Sequence, residues 1–211
     1  MIDIGHFASI GEAWLTVAKQ ILQTGNDVIE NGEEYKEKKG ISFGVTCITD
    51  KDNIIERFAD ASNIQWMKTN FNSMQSIKEL HNANSYATRL YNYCGQKNQI
   101  EWVVDKIRGK KNVRSATITT FEPLTDVSYI PCVSLLDFDV NEKVLDVYVY
   151  ARALDFGGKA YANMICIKEI LQYVSGKTNY GIGTMHFICK SVHIYSYDYQ
   201  KINRILEEII I

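Results

Sequence analysis

The segment that most restricts the fold of this chain is residues 160–174, AYANMICIKEILQYV. It is long enough for about four helical turns, and it is mostly apolar around its whole circumference. A helix without a polar face has to be covered on all sides, so it belongs at the centre of a domain. Runs with strand character flank it, at 143–152 before and 184–195 after. In the first run, Tyr148, Tyr150 and Arg152 fall on one face of the strand and Val147, Val149 and Ala151 on the other. A buried helix between strands predicts an α+β fold, with a mixed β-sheet packed against a central buried helix.

The rest of the chain fills out that plan. Residues 8–22 place Ile10, Trp14, Val17, Ala18, Ile21 and Leu22 at helical spacing, with Gly25 just past the end. Residues 25–40 are polar and contain glycine, which predicts a loop, and the β-branched stretch 41–49 predicts a strand. Residues 60–97 are rich in Asn, Ser, Tyr and Lys and carry mixed helical character. A short amphipathic helix is expected over 99–107, strands over 115–121 and 133–140, and a last amphipathic helix over 199–211. Asn141-Glu142 is the expected hairpin turn between 133–140 and 143–152. With no repeat and no linker composition, residues 1–211 read as one domain with room for a real core.

Composition narrows the classes of function. A formal net charge of -2 gives no bulk positive field for nucleic acid. No apolar run approaches the roughly 18–20 residues that span a bilayer, and the opening MIDIGHFASIGEAW lacks a basic segment followed by an apolar one. A cytoplasmic protein without a membrane partner is expected. The five cysteines, Cys47, Cys94, Cys132, Cys166 and Cys189, are odd in number and include no CxxC pair, so neither a disulfide framework nor a metal site is expected. Most should be buried as small hydrophobes, and one is available as a nucleophile.

Four short segments carry groups suited to chemistry. Tyr129-Ile-Pro-Cys132 presents a thiol at a strand entrance, where nearby cations would favour the thiolate; a lone cysteine can equally be a core residue. Arg152, Asp155, a Gly-Gly pair and Asn163 follow one another from a strand end into the buried helix, either converging on a ligand or forming an ion pair and a helix cap. His193 and Tyr195 share one face of a strand and suit sugar hydroxyls, though an ordinary half-buried strand carries such residues too. Lys110, Lys111 and Arg114 form a basic cluster suited to a phosphate or simply to solvent.

Together and in this order, these segments resemble the thymidylate synthase family. The shared pattern is an Arg-Ser strand, Pro-Cys, Arg-x-x-Asp with a later Asn, and His-x-Tyr. Cys132 and Arg152 are 20 residues apart and Arg152 and Asn163 are 11 apart, as the family spacing requires. Tyr86 in SYATRLY resembles the tyrosine of the family's YGxxWR, and Asn98-Gln99-Ile100 resembles its Asp-Gln-Ile helix start. The resemblance covers roughly residues 62–197. It implies an enzyme that transfers a one-carbon unit from 5,10-methylene-tetrahydrofolate to C5 of a pyrimidine nucleoside monophosphate, working as a homodimer with shared active sites. In that scheme Cys132 adds to C6 of the ring and Tyr86 assists proton loss at C5. Arg152 binds the phosphate, Arg114 reaches the phosphate in the partner subunit, Asn163 meets the base edge, and His193 and Tyr195 hold the ribose. Asp155 and Trp66 are assigned to folate, Asp155 also to catalysis.

The departures from thymidylate synthase shape a finer expectation. Only 16 residues follow Tyr195, so the segment that closes over folate in the family is not expected; a wetter site would let water capture the one-carbon unit and give a hydroxymethyl product. The family's Arg-Ser-x-Asp is Arg152-Ala153-Leu154-Asp155, its Arg-Thr-Gly phosphate loop is reduced to Lys38-Lys39-Gly40, and its Arg-Arg pair is reduced to Val113-Arg114. The family's catalytic glutamate has no clean counterpart, Glu56 being the nearest. This pattern resembles the cytidylate 5-hydroxymethylase branch, which serves pyrimidine antibiotics such as mildiomycin and bacimethrin. Asn163 points the other way, towards uracil, but an amide can pair with either base edge. Methylation of dUMP, or an inactive nucleotide-binding relative, are the alternatives.

Overall fold

The apolar segment forms a helix that runs past its sequence pattern to Thr178. The computed structural model describes residues 1–46, 51–127 and 129–209; Cys47 and the expected ends of a strand at 49 and a helix at 211 lie outside the described residues. In chain order the elements are β1 (Ile2–Phe7), α1 (Ile10–Thr24), β2 (Asn26–Glu30), β3 (Glu33–Val45), α2 (Asn53–Phe58), α3 (Ala61–Asn72), β4 (Ser76–Ile77), β5 (Ala83–Asn84), α4 (Tyr86–Tyr91), α5 (Gln99–Ile107), β6 (Ala116–Thr119), β7 (Val133–Asn141), β8 (Val144–Ala151), β9 (Leu154–Asp155), α6 (Ala160–Thr178), β10 (Gly181–Tyr195) and α7 (Tyr199–Glu208).

The main sheet has the order β1-β3-β10-β8-β7-β6, with β2 added to β3 and β9 to β10. It is mixed, as expected: β10 runs parallel to β8 and antiparallel to β3. Parallel neighbours cannot be joined by a tight turn, and α6 supplies the crossover between β8 and β10. The helix buries Ala160, Met164, Ile167, Leu171 and Val174 in one core with Val147, Val149 and Ala151 of β8. Tyr148 and Tyr150, on the other face of that strand, stay 38% and 39% exposed.

Residues 25–40 are not a loop. They form the β2–β3 hairpin, turning through Asn31 and Gly32 at φ 53° and 83°, the pair of positive φ values that a two-residue hairpin needs. Neither strand of this ribbon is deeply buried before Ile41, so its residues are polar on both faces and the composition looks loop-like. The mixed stretch 60–97 resolves into α3, α4 and the small β4–β5 pair.

Trp14 on α1 ties the core to the turn before α6. It is almost fully buried, its ring lies 4.5 Å from that of Tyr161, and its indole N–H donates to the Phe156 carbonyl at 2.7 Å. Trp14→Phe keeps a ring but leaves that buried carbonyl without its donor, which should cost about 1–3 kcal/mol. Urea unfolding followed by circular dichroism measures it; an unchanged midpoint would show that the bond does not contribute.

Candidate active site

Two strand ends meet where the chemistry-bearing residues cluster. Val133, which opens β7, lies opposite Ala151, which closes β8, so the register alone sets Cys132 beside Arg152. The Arg152 backbone N–H donates to the Cys132 carbonyl at 2.9 Å. Its guanidinium Nε and Nη2 donate to the Ile130 carbonyl at 3.1 and 2.7 Å. On the other side, the Tyr86 hydroxyl accepts the Val133 N–H at 2.9 Å, while the ring stacks on Phe71. The approach to Cys132 is held by buried Arg89, which donates to both carboxylate oxygens of Asp126 at 2.7 and 2.6 Å and to the Thr120 carbonyl at 2.7 Å. Gln99 donates to the carbonyls of Arg89 and Thr119 at 2.8 and 2.6 Å. The Arg89 bonds are charge-assisted, and they fix the segment from Thr120 to Asp126 that leads towards Cys132.

Two influences act on the Cys132 thiol in opposite directions. Burial pushes its pKa up, and that effect is the larger; the Arg152 charge, a hydrogen bond from the Tyr129 hydroxyl and the Lys159 charge pull it down. Tyr129 was not singled out in the sequence, although it stands three residues before the cysteine. Burial raises the Tyr86 pKa strongly as well, so Tyr86 is a neutral phenol at neutral pH.

The turn from β9 into α6 carries the next group. Asp155 Oδ1 accepts the N–H groups of Gly157 and Gly158 at 3.0 and 3.1 Å, and burial together with nearby Asp198 pushes its pKa up to about 6. Asn63 and Lys201 hold the turn through the carbonyls of Gly158 and Gly157. A side chain at Gly158 would collide with Asp155 Oδ2, so the glycine keeps that oxygen clear. Lys159 then lies 4.0 Å over the Trp66 ring. In the first turn of α6, Asn163 donates through Nδ2 to the Lys159 carbonyl at 2.9 Å, whereas its buried Oδ1 has no partner. A buried amide oxygen left open in this way suits a donor from a bound molecule.

The third group lines a cleft of about 580 Å³ whose walls include Arg152, Ala153, Lys190, Ser191, His193 and Tyr195, with Tyr35, Glu37 and Lys39 from the β2–β3 hairpin. Tyr35 packs edge-on against both His193 and Tyr195. Burial pushes the His193 pKa down to about 4, so its imidazole is neutral at pH 7 and can both donate and accept. Tyr35 and Glu37 were missed with the hairpin itself, and Lys39 was met only as part of a reduced phosphate loop; the signal for all three was their alternation after Asn31-Gly32.

The structure therefore brings Cys132, Tyr86, Arg152, Asp155, His193 and Tyr195 into one electrostatic neighbourhood, with Asn163 and Trp66 joined to it through Lys159. It does not bring Arg114 there. Arg114 is exposed just before β6, where Ala116 lies opposite Phe138, six residues along β7 from Cys132 and so roughly 20 Å away. Lys110 and Lys111 share its exposed loop, and Glu56 is exposed on α2. Lys38 turns to the helix side and donates to Thr24 at 2.7 Å, leaving Lys39 to face the cleft.

Comparison with known proteins identifies the family. The family model described as thymidylate synthase matches residues 45–209, and the chain belongs to the thymidylate synthase family. Among archaeal relatives that carry the provisional name of thymidylate synthase, one from Methanococcoides burtonii is 34% identical over 125 residues, 58% of each chain. One from Methanosarcina mazei is 32% identical over 127 residues, 59% of this chain and 58% of that one. One from Methanocaldococcus jannaschii is 30% identical over 122 residues, 53% and 55% of the two. The match thus spans a little over half the length of these relatives.

The electrostatics of the thiol can be tested directly. Removing the cation in Arg152→Ala should raise the Cys132 pKa further and move the pH profile of its alkylation by iodoacetamide to higher pH. Mass spectrometry of the Cys132 peptide separates this signal from exposed Cys94. A profile that stays put or moves to lower pH would show that Arg152 does not favour the thiolate.

Proposed function

We propose that this protein transfers a one-carbon unit from methylene-tetrahydrofolate to C5 of a pyrimidine nucleoside monophosphate, with Cys132 as nucleophile. The observation that carries the reading is the placement of the Cys132 thiol between Arg152 and Tyr86, next to a cleft walled by His193 and Tyr195. The thiolate forms a bond to C6, and the C5–C6 electron pair moves through the ring onto the C4 substituent, which makes C5 nucleophilic. Arg152 supplies positive charge both to the thiolate and to the substrate phosphate. Asn163 offers one acceptor, Oδ1, and one remaining N–H, and both uracil and cytosine present an adjacent donor and acceptor on that edge. After transfer C5 loses its proton, with the neutral Tyr86 phenol orienting the water that takes it. The bond from the new carbon to the folate nitrogen breaks, and tetrahydrofolate leaves with that electron pair. Water adds to the exocyclic methylene so formed, and the S–C6 bond then breaks, restoring the C5–C6 double bond and releasing Cys132. Folate, when bound, supplies the carbon at the methylene level. Asp155 Oδ2, kept clear by Gly158, and the Trp66 ring suit the polar edge and the face of a pterin.

Within this chemistry we favour a cytidylate 5-hydroxymethylase that uses water as the final reactant, the activity of the antibiotic-pathway branch noted above. Ala153 supports it, because the cleft lacks the hydroxyl that thymidylate synthases present beside the phosphate-binding arginine. The second reading, methylation of dUMP, is favoured by the names of the archaeal relatives. The same proposal places the protein in the cytoplasm with no nucleic-acid or membrane partner; among the described residues no helix is long and apolar enough to cross a membrane. It also needs no metal.

One assay tests the chemistry. Release of tritium from C5-labelled CMP and dUMP requires attack at C6, and Cys132→Ala should reduce it at least a thousandfold while circular dichroism stays unchanged. Near-normal release from this variant would end the proposal. With folate present, the mass of the product separates hydroxymethyl from methyl. Hydroxymethylation gives no rise at 340 nm, since no dihydrofolate forms, whereas a rise with dUMP and a methylated product would establish the second reading.

The assembly proposed is a homodimer with shared sites. Its support is the exposed Tyr148–Tyr150 face of the sheet together with the distance of Arg114 from Cys132 in its own subunit. Mixing Arg114→Ala and Cys132→Ala chains should restore about half of the wild-type activity per mixed dimer, and so about a quarter in a randomly assorted equimolar mixture, because one site of each mixed dimer regains both groups. A fully active monomer in analytical ultracentrifugation would rule this out.

A further inference from the structure

We infer that Glu37 reads the ribose of the substrate, its carboxylate accepting the 2′-hydroxyl, so that the enzyme takes ribonucleotides in preference to deoxyribonucleotides. This rests on the pyrimidine nucleotide reading of the cleft and goes beyond it by naming the sugar and the residue that selects it.

The register places Glu37 there. On β3 and β10, Tyr35 lies opposite Tyr195, Glu37 opposite His193 and Lys39 opposite Ser191. Alternate residues of paired strands share a face, so Glu37 belongs to the same surface as the two residues assigned to the sugar. All six line the cleft.

The chemistry of the carboxylate defines what it can meet. Its side chain is only 14% exposed. Oε1 accepts the Ser191 hydroxyl at 2.7 Å, and Oε2 lies 3.2 Å from the Lys39 ammonium, itself 71% exposed. An exposed lysine offsets little of the cost of withdrawing a carboxylate from water. One hydroxyl and one solvated cation leave lone pairs on both oxygens for further donors. A sugar hydroxyl is such a donor and a phosphate is not, so the Glu37 end of the cleft suits the sugar. The phosphate is left to Arg152 and Lys190 on the same walls. Beside His193 and Tyr195, Glu37 adds a charged acceptor on the same face, which suits the second hydroxyl of a vicinal diol. Carboxylates are used in this way elsewhere to hold a ribose 2′-hydroxyl, and the charge strengthens the bond.

The test compares CMP with dCMP, and UMP with dUMP, by calorimetric binding and by C5 tritium release. The wild-type protein should favour the ribonucleotide by about tenfold to a hundredfold, the range expected for a hydrogen bond to a charged group. Glu37→Ala should bring the ratio within threefold, by raising the ribonucleotide KM with little change in kcat. Glu37→Gln, which retains the shape and an acceptor but not the charge, should fall between. The wild-type comparison stands even if a variant fails to fold. Equal or tighter handling of the deoxynucleotide by the wild type, or an undiminished ribonucleotide preference in Glu37→Ala, would overturn the inference and leave the nucleotide reading intact. Absence of binding by all four nucleotides would instead overturn the nucleotide reading, and the inference with it.

Discussion

The burial of α6 is the constraint on which the rest of the molecule depends. A helix that is apolar over most of its surface gains its stability mainly from cover, at about 25 cal/mol per Å² of apolar surface removed from water; in α6 only a narrow stripe through Glu169, Tyr173 and Lys177 reaches towards solvent. Here the cover comes from β8 and β10, the strands on either side of it in sequence, and from α1, α3 and α5. That arrangement sets where the helix begins. The turn from Asp155 to Lys159 must lie where β8 ends and alongside β10, which is also where Cys132 enters β7. Trp14 reinforces the placement by holding the Phe156 carbonyl from inside the core. The turn that carries Asp155 is thus the mouth of a crossover held on several sides by the core.

The same burial creates an electrostatic conflict. A thiol withdrawn from water resists ionisation, and so does the Asp155 carboxyl. Arg152 answers the first, and glycine N–H groups answer part of the second. Its guanidinium holds the Ile130 carbonyl and lines the cleft at the same time, so a single residue shapes the loop that carries Cys132 and presents charge to the cleft. An arginine can do both because its donors are fixed in a plane; a lysine would offer one point charge.

Much of this was legible in the amino-acid sequence, and the pattern of hits and misses has a physical cause. Elements with one buried face, such as α1, α5, β7 and β8, announce themselves by period, and α6 does so by the narrowness of its polar stripe. The motif residues Cys132, Arg152, Asp155, Asn163, His193 and Tyr195 lie on or beside such elements, so their order and spacing could be compared with a family pattern. The β2–β3 ribbon did not show, because neither of its faces meets the core before Ile41 and its composition mimics a loop. Tyr129 was passed over because its importance comes from proximity to a thiol and not from any periodic pattern. Arg114 was legible as a basic residue before a strand, but its distance from Cys132 follows from the register of β6 on β7, which the sequence does not state.

The ribbon that escaped detection also has a consequence for how this scaffold can change through descent. One wall of the cleft hangs on strands outside the close-packed interior, joined to it near Gly40, which takes a φ of 67° while the register of β3 on β10 stays unshifted from Tyr35 to Val45. The opposite wall and the nucleophile are locked into the interior, where a single misplaced methylene is felt. Substitutions on the ribbon can therefore accumulate without disturbing the packed layers. That wall can drift while the packed layers are held.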